Sequence, residues 1–342
     1  MAVPPLVVAT AREGWRWQWR QLMQGLGPAD ADGRYVRPPS DRLEVTVPDA
    51  AALEGRSARQ LPRLVIGRSC PWAHRTWLMH SLRHLEGSLE LLMATADHRA
   101  GRWTLEPAWM GCSTLVELYR HCGTPPHHRA TVPALVDPGE QNSTAAQLLG
   151  NDSAALSEAL NRWPGGDGAP DLAPEGSQGA INRWQTLLQP AVNDGVYRCG
   201  FARTQQAYDE ASAALFAALD QVEAALQRQG PWLCGEQLTI ADVRLFPTLI
   251  RWELVYAPLF GCSARPLWMF PALWQWRQRF YALPGVADTC DGEAWRADYF
   301  GALFPLNPGG LVPAGPDLNT LISAPAQERQ LRAIESPNFH QI

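Results

Sequence analysis

From residue 63 onward the chain alternates short apolar runs with amphipathic stretches. Arg63-Leu64-Val65-Ile66-Gly67 has the pattern of a buried strand, and Pro71 opens a helix whose apolar positions include Trp72, Trp77, Leu78 and Leu82. Leu89-Glu90-Leu91-Leu92-Met93-Ala94 reads as a second strand, residues 113–119 as a helix, and Ala130 to Asp137 as a third strand. Asn142 or Ser143 then caps a helix running to about Leu160. Strand, helix, strand, helix, strand, helix describes a small α/β domain.

The remainder has a different rhythm. Pro164-Gly165-Gly166-Asp167-Gly168-Ala169-Pro170 lies in a linker by composition. Beyond it Tyr208, Ala211, Leu215, Leu219, Val222 and Leu226 recur at three and four, predicting a long amphipathic helix that Gly230-Pro231 ends. Thr239 and Asp242 have capping-box spacing at the start of a further helix, and Pro247 inside it predicts a kink. The first residues look irregular, with a helix around Trp15 to Leu26. The expected organisation is an arm over 1–60, an α/β domain over 61–160, a linker over 161–178, an all-helical domain over 179–304 and an extended tail over 305–342.

Composition narrows the function. Of 342 residues, 46% are hydrophobic, enough for two cores, and 18% are charged, against about 25% in an average chain. A net charge of -5 argues against nucleic acid or an anionic membrane as the main partner. Every cation is arginine. No apolar stretch approaches the roughly 18 residues of a membrane span, and the apolar start lacks a basic leader and is broken by Pro4-Pro5. Seven cysteines without regular spacing form no disulfide framework and no zinc pattern, which suggests a reducing, cytoplasmic setting and no metal.

One cysteine stands apart. Cys70 follows a strand and precedes a helix with proline at its first position, so its sulfur faces unpaired N–H groups and the positive end of the helix dipole. Its pKa is expected to fall below about 8.5. With no second cysteine in Cys70-Pro71-Trp72-Ala73-His74-Arg75, an external thiol would resolve any mixed disulfide. The other six cysteines read as structural. Val132-Pro133 at a strand start suits a cis bond that exposes backbone to a peptide ligand. The helix start at Asn142-Ser143-Thr144 is either a bare cap or a site for a ligand carboxylate. Tyr197, Trp252, Tyr256 and Tyr299 offer rings for stacking, and a tyrosine hydroxyl can protonate a leaving group.

These residues carry a resemblance. Cys70-Pro71-Trp72-Ala73-His74-Arg75-Thr76 resembles the signature of the Xi-class glutathione transferases, the glutathionyl-hydroquinone reductases, whose omega-class relatives share only the Cys-Pro core. Asn193-Asp194-Gly195-Val196-Tyr197-Arg198-Cys199-Gly200-Phe201-Ala202 is similar to that family's Asn-Asn-Gly-Val-Tyr-Arg-Ala-Gly-Phe-Ala. Leu238 to Arg251, Leu283 to Ala287, Asn307-Pro308 and Val312-Pro313 also fall in the family's order, so the likeness covers roughly residues 60–315.

The resemblance implies a thioredoxin-like domain followed by a helical glutathione-transferase domain, in a homodimer. It implies that glutathione is the co-substrate and a quinol conjugate the substrate. Cys70 corresponds to the nucleophile, and Trp103, Arg129, Val132 and Pro133 to glutathione contacts. Tyr197, Tyr256 and Tyr299 correspond to tyrosines of the hydroquinone site. One departure concerns Asn-Asn-Glu-Ser, which holds the γ-glutamyl group in the family. Matched to Gln141-Asn142-Ser143-Thr144, it leaves Thr144 a hydroxyl but puts Ser143 where the acid belongs. Either an acid such as Asp152 substitutes, or affinity is poor, or the thiol differs. The competing readings are a general thioltransferase or dehydroascorbate reductase using Cys70, and a non-catalytic ligand-binding homologue.

Overall fold

The computed structural model describes residues 3–38, 45–139, 146–166 and 168–323. Helix α1, Pro5–Leu26, starts ten residues before the expected Trp15 and buries only Met23. It leads through a short α2, Ala50–Leu53, into strand β1, Arg63–Gly67, whose Leu64, Val65 and Ile66 are wholly buried. The apolar run is continuous because this strand is interior on both faces. Helix α3, Pro71–Leu82, crosses to β2, Glu90–Asp97, which pairs parallel to β1.

Two strands that the helix-strand pattern omits follow: β3, Arg102–Trp109, and β4, Cys112–Thr114. Trp103, Leu105 and Trp109 do alternate, but Pro107 interrupts the run and the register shifts before Trp109. Thr114 and Glu117 form a capping box that opens α4, Leu115–His121. Strand β5, Ala134–Asp137, returns antiparallel to β1.

The largest correction comes next. Residues 147–150 are a strand, β6, Gln147–Gly150, antiparallel to β5, where the capping pattern predicts a helix from Asn142 or Ser143. Helix α5 spans Ser153–Asn161, and Asp152 is its cap, accepting the N–H groups of Ala154 at 3.0 Å and Ala155 at 2.9 Å. Leu148 and Leu149 are buried in the sheet, and a carboxylate is as good a cap as Asn or Ser. Ser143 and Thr144 lie outside the described residues. The six strands run β4-β3-β2-β1-β5-β6, a mixed sheet of thioredoxin-like character.

The second half is helical. Helix α6, Gln178–Leu188, passes through a wide turn at Gln189–Asn193 into α7, Gly195–Gly200, and then into the 25-residue α8, Gln205–Gln229. Thr239 and Asp242 form the expected capping box of α9, Ile240–Ile250, which is buried along its whole length and contains Pro247. A wide turn at Trp252–Tyr256 continues into α10, Ala257–Phe260. Helices α11, Pro271–Tyr281, and α12, Gly292–Ala302, complete the bundle. The tail is not wholly extended: α13, Leu318–Ser323, buries Leu321 and Ile322. Trp252 belongs to the core, edge-on to Phe216 at 5.9 Å. Among the described residues no helix is long and apolar enough to cross a membrane.

Candidate functional site

Cys70 is the residue immediately before α3, in extended backbone at φ -73° and ψ 117°. Its Sγ points at the Val132 carbonyl oxygen, 3.6 Å away, and the Val132–Pro133 peptide is cis. The Tyr119 hydroxyl donates to the Thr131 carbonyl at 2.7 Å, which ties this turn to α4. The N–H groups of Ala73 and Trp72 and the cations Arg251 and Arg37 favour a thiolate here. Burial of the half-buried side chain outweighs them and pushes the thiol up, contrary to the expected fall.

Around the sulfur lies an open cleft of about 230 Å³, lined by Cys70, Trp72, Trp103, Tyr197, Phe201 and Tyr299 among others. Its walls are mostly apolar and include five aromatic rings, which suits a flat ring. Trp103 lies directly on Gly67: a Cβ there would come within 2.5 Å of the indole ring. Only glycine allows that approach. Trp72 stacks on Tyr197 at 6.0 Å and 28°, and Arg37 covers the Trp72 ring at 3.6 Å. Arg37 is held by Asp194 at 3.2 Å, so the N-terminal segment contributes a charge to the site.

Three tyrosine hydroxyls converge behind this wall. Tyr197 and Tyr299 are 2.6 Å apart, and Tyr256 is 3.2 Å from Tyr299. Burial, with the neighbouring phenols, raises Tyr197 and Tyr299 well above the ordinary tyrosine value, and burial raises Tyr256 as well. All three are therefore proton donors at neutral pH. At the cleft mouth His98 contacts Asp298 at 3.0 Å.

Cys70, Trp103, Tyr197 and Tyr299 thus share one cleft, and Val132 borders the sulfur. Tyr256 is fully buried and meets the cleft through Tyr299 and through the edge of the Tyr197 ring at 6.0 Å. Arg129 is exposed and stands outside the cleft lining, close enough to Tyr35 to act on its phenol. The N-terminus of α5 offers a half-buried Asp152 and a buried Ser153. Arg75 links it to the Cys70 helix, donating to Ser153 Oγ at 3.4 Å and to Gln189 Oε1 at 3.1 Å. Burial and then the guanidinium groups of Arg244 and Arg37 bring Arg75 down to about 9, still cationic at neutral pH. Sequence reasoning misses Arg37, His98, Asp298 and Arg251, because only long-range packing brings them to Cys70.

Comparison with known proteins agrees with this geometry. Residues 205–279 match the family model described as glutathione S-transferase, C-terminal domain. The chain is 32% identical over 311 residues to glutathionyl-hydroquinone reductase PcpF of Sphingobium chlorophenolicum, covering 88% of this chain and 94% of that one. It is 34% identical over 265 residues to glutathionyl-hydroquinone reductase YqjG of Escherichia coli, covering 74% and 78%. The glutathione-bound structure of YqjG from Escherichia coli K-12 superposes with a TM-score of 0.69 at 30% identity, covering 88% of this chain and 99% of that one. The Xi transferase of Phanerochaete chrysosporium gives 0.73 at 29%, covering 84% and 94%. The chain belongs to the glutathionyl-hydroquinone reductases, the Xi class of the glutathione transferases.

Proposed function

We propose that this protein is a glutathione-dependent reductase that removes the glutathionyl group from glutathionyl-hydroquinones through a mixed disulfide on Cys70. The observation that carries this reading is the placement of one cysteine and a tyrosine pair in the same aromatic cleft. In the first step the Cys70 thiolate attacks the sulfur of the conjugate. The carbon–sulfur bond breaks, its electron pair stays on the ring carbon, and a tyrosine hydroxyl delivers the proton that makes the free hydroquinone. In the second step a glutathione thiolate attacks the glutathionyl sulfur of the mixed disulfide, releasing oxidised glutathione and restoring Cys70. Thioether and thiol enter; arene and disulfide leave.

The first step needs a protonated phenol beside a thiolate, and the buried tyrosines supply the former. The γ-glutamyl end of glutathione is assigned to the N-terminus of α5, where Asp152 provides the acid that Ser143 lacks and the hydroxyl and N–H of Ser153 meet the carboxylate. Val132 is assigned to the cysteinyl backbone, with Pro133 fixing the turn, and Trp103 to the tripeptide's flank. Arg129 is assigned to the same ligand, as is Thr144, which lies outside the described residues.

The same reading divides the chain into the arm, thioredoxin-like domain, linker, helical domain and tail bounded at 60, 160, 178 and 304. On this reading the protein is a cytoplasmic homodimer; seven cysteines without a disulfide framework support a reducing compartment. A turnover assay comparing a glutathionyl-hydroquinone with dehydroascorbate and a small mixed disulfide tests the function. Preference for the quinol conjugate supports it, and preference for either other substrate makes the protein a general thioltransferase.

A further inference from the structure

Among the described residues the buried arginines divide into two that are paired with acids and two, Arg75 and Arg251, that donate to neutral groups. Arg277 and Arg244 meet acids, Glu253 at 2.6 Å and Glu158 at 3.0 Å. Arg251 is equally buried, yet every partner that it contacts is neutral. Its Nη1 donates to His74 Nδ1 at 2.8 Å and to the Pro247 carbonyl at 3.0 Å, and its Nη2 reaches the Arg68 carbonyl at 3.5 Å. Its guanidinium lies 3.9 Å over the Trp295 ring, and Nε has no partner.

The tautomer of His74 follows from these bonds. Because Nδ1 accepts from Arg251, Nε2 carries the proton and donates to Thr289 Oγ1 at 2.8 Å. Thr289 in turn donates to the Val286 carbonyl at 2.7 Å. A second proton on His74 would set two cations face to face, and burial opposes it further. The ring therefore stays neutral and leaves the charge on Arg251 undiminished.

Two of these contacts bracket the sulfur. Arg68 lies two residues before Cys70 and His74 lies four after it, so one side chain from the end of α9 holds both ends of the turn. Three carboxylates on the other elements around the turn have partners of their own. Asp291, the cap of α12, meets Arg68 at 3.3 Å, Asp298 meets His98 at 3.0 Å, and Asp194 meets Arg37 at 3.2 Å. The remaining ionisable neighbours are Cys70, Cys290, Tyr256 and Tyr299, all neutral when protonated and anionic when not, and the exposed carboxylate of Asp288, which acts on Cys290. A buried cation without an acid is costly to fold, and such charges persist where a site uses them.

We propose that Arg251 is the positioning residue of the Cys70 site: it fixes the turn at Arg68 and His74 and holds an unneutralised buried charge toward the sulfur, stabilising the thiolate. The same charge acts on Tyr256 and Tyr299, where burial keeps the protons in place. The inference rests on Cys70 being the nucleophile, but its test does not use the reductase reaction.

The test is the pH dependence of Cys70 alkylation by iodoacetamide, read peptide by peptide by mass spectrometry, in the wild type, Arg251→Gln and Arg251→Lys. Circular dichroism and urea unfolding verify each fold. Arg251→Gln should raise the midpoint by about one pH unit, a tenfold loss of thiolate at neutral pH, while Arg251→Lys stays close to the wild type. An unchanged midpoint in Arg251→Gln, or the same shift in both variants, overturns the proposal. Should Arg251→Gln fail to fold, Cys290→Asp against Cys290→Asn decides. Cys290 Sγ is 4.0 Å from His74 Nε2, on the rim of an open polar cleft, so a carboxylate there would offset the Arg251 charge. A higher midpoint with Asp than with Asn supports the proposal, and equal midpoints overturn it. Loss of the reductase reading would show separately, as turnover retained by Cys70→Ser.

Discussion

The hydroxyls of Tyr197 and Tyr299 lie 2.6 Å apart although 102 residues separate them in the chain. One comes from α7 and the other from α12, and both line the cleft that holds Cys70. Replacing either with phenylalanine should lower kcat for a glutathionyl-hydroquinone by about 10²-fold, the low end for a lost proton donor. Cys70 alkylation should not change. Tyr256→Phe, one hydroxyl further from the cleft, should cost less than about tenfold by the same reasoning. Steady-state kinetics with a fixed conjugate reads all three.

Asp152 accepts two backbone N–H groups at the start of α5 and is assigned to the ligand ammonium. Asp152→Asn keeps a capping oxygen and removes the charge. Glutathione affinity should fall by about 1.5–3 kcal/mol, or roughly ten- to hundredfold, with stability nearly unchanged. Calorimetric titration measures the first and urea unfolding the second. Unchanged affinity in this variant would move the γ-glutamyl group elsewhere.

Local signals make much of the fold and site legible in the sequence, and the failures have identifiable causes. Cys70 stands out because Pro71 and the strand ahead of it mark a helix start. The Thr239–Asp242 box is readable for the same reason. The α5 start is ambiguous in sequence because Asn142-Ser143-Thr144 and Asn151-Asp152-Ser153 are both good caps, and only the pairing of Gln147–Gly150 with β5 separates them. The pKa of Cys70 is expected in the wrong direction because a helix terminus is visible in sequence and the depth of a pocket is not. Arg37 and Arg251 lie far from Cys70 in the chain and bear on it only through packing.

Gly67 is covered by the Trp103 ring, with a Cβ there only 2.5 Å from it. Gly67→Ala must displace the indole from the cleft wall, at about 1–3 kcal/mol of stability. The KM for glutathione should rise along with it. Thermal unfolding and kinetics of this variant check the pair of effects.

His74 is buried neutral and burial holds its pKa well below 6.5. The folded value lies below the unfolded one, so its contribution is complete above about pH 6.5 and is lost as pH falls toward the folded value. His80 shares this direction, whereas Asp242, pushed up to about 6 by burial, loses its contribution as pH rises through that value. The informative readout is thus the difference between proteins. The loss of urea stability between pH 7.5 and 5.5 should be smaller in His74→Asn than in the wild type.

Cys70 is central to the proposed chemistry, because it carries the glutathionyl group between the two half-reactions. Mass spectrometry of the enzyme mixed with a glutathionyl-hydroquinone, with no free glutathione present, tests this role most directly. The expected result is one glutathionyl adduct, on the Cys70 peptide, formed together with free hydroquinone and discharged as oxidised glutathione when glutathione is added. An adduct on another cysteine, or full turnover by Cys70→Ser, would contradict it.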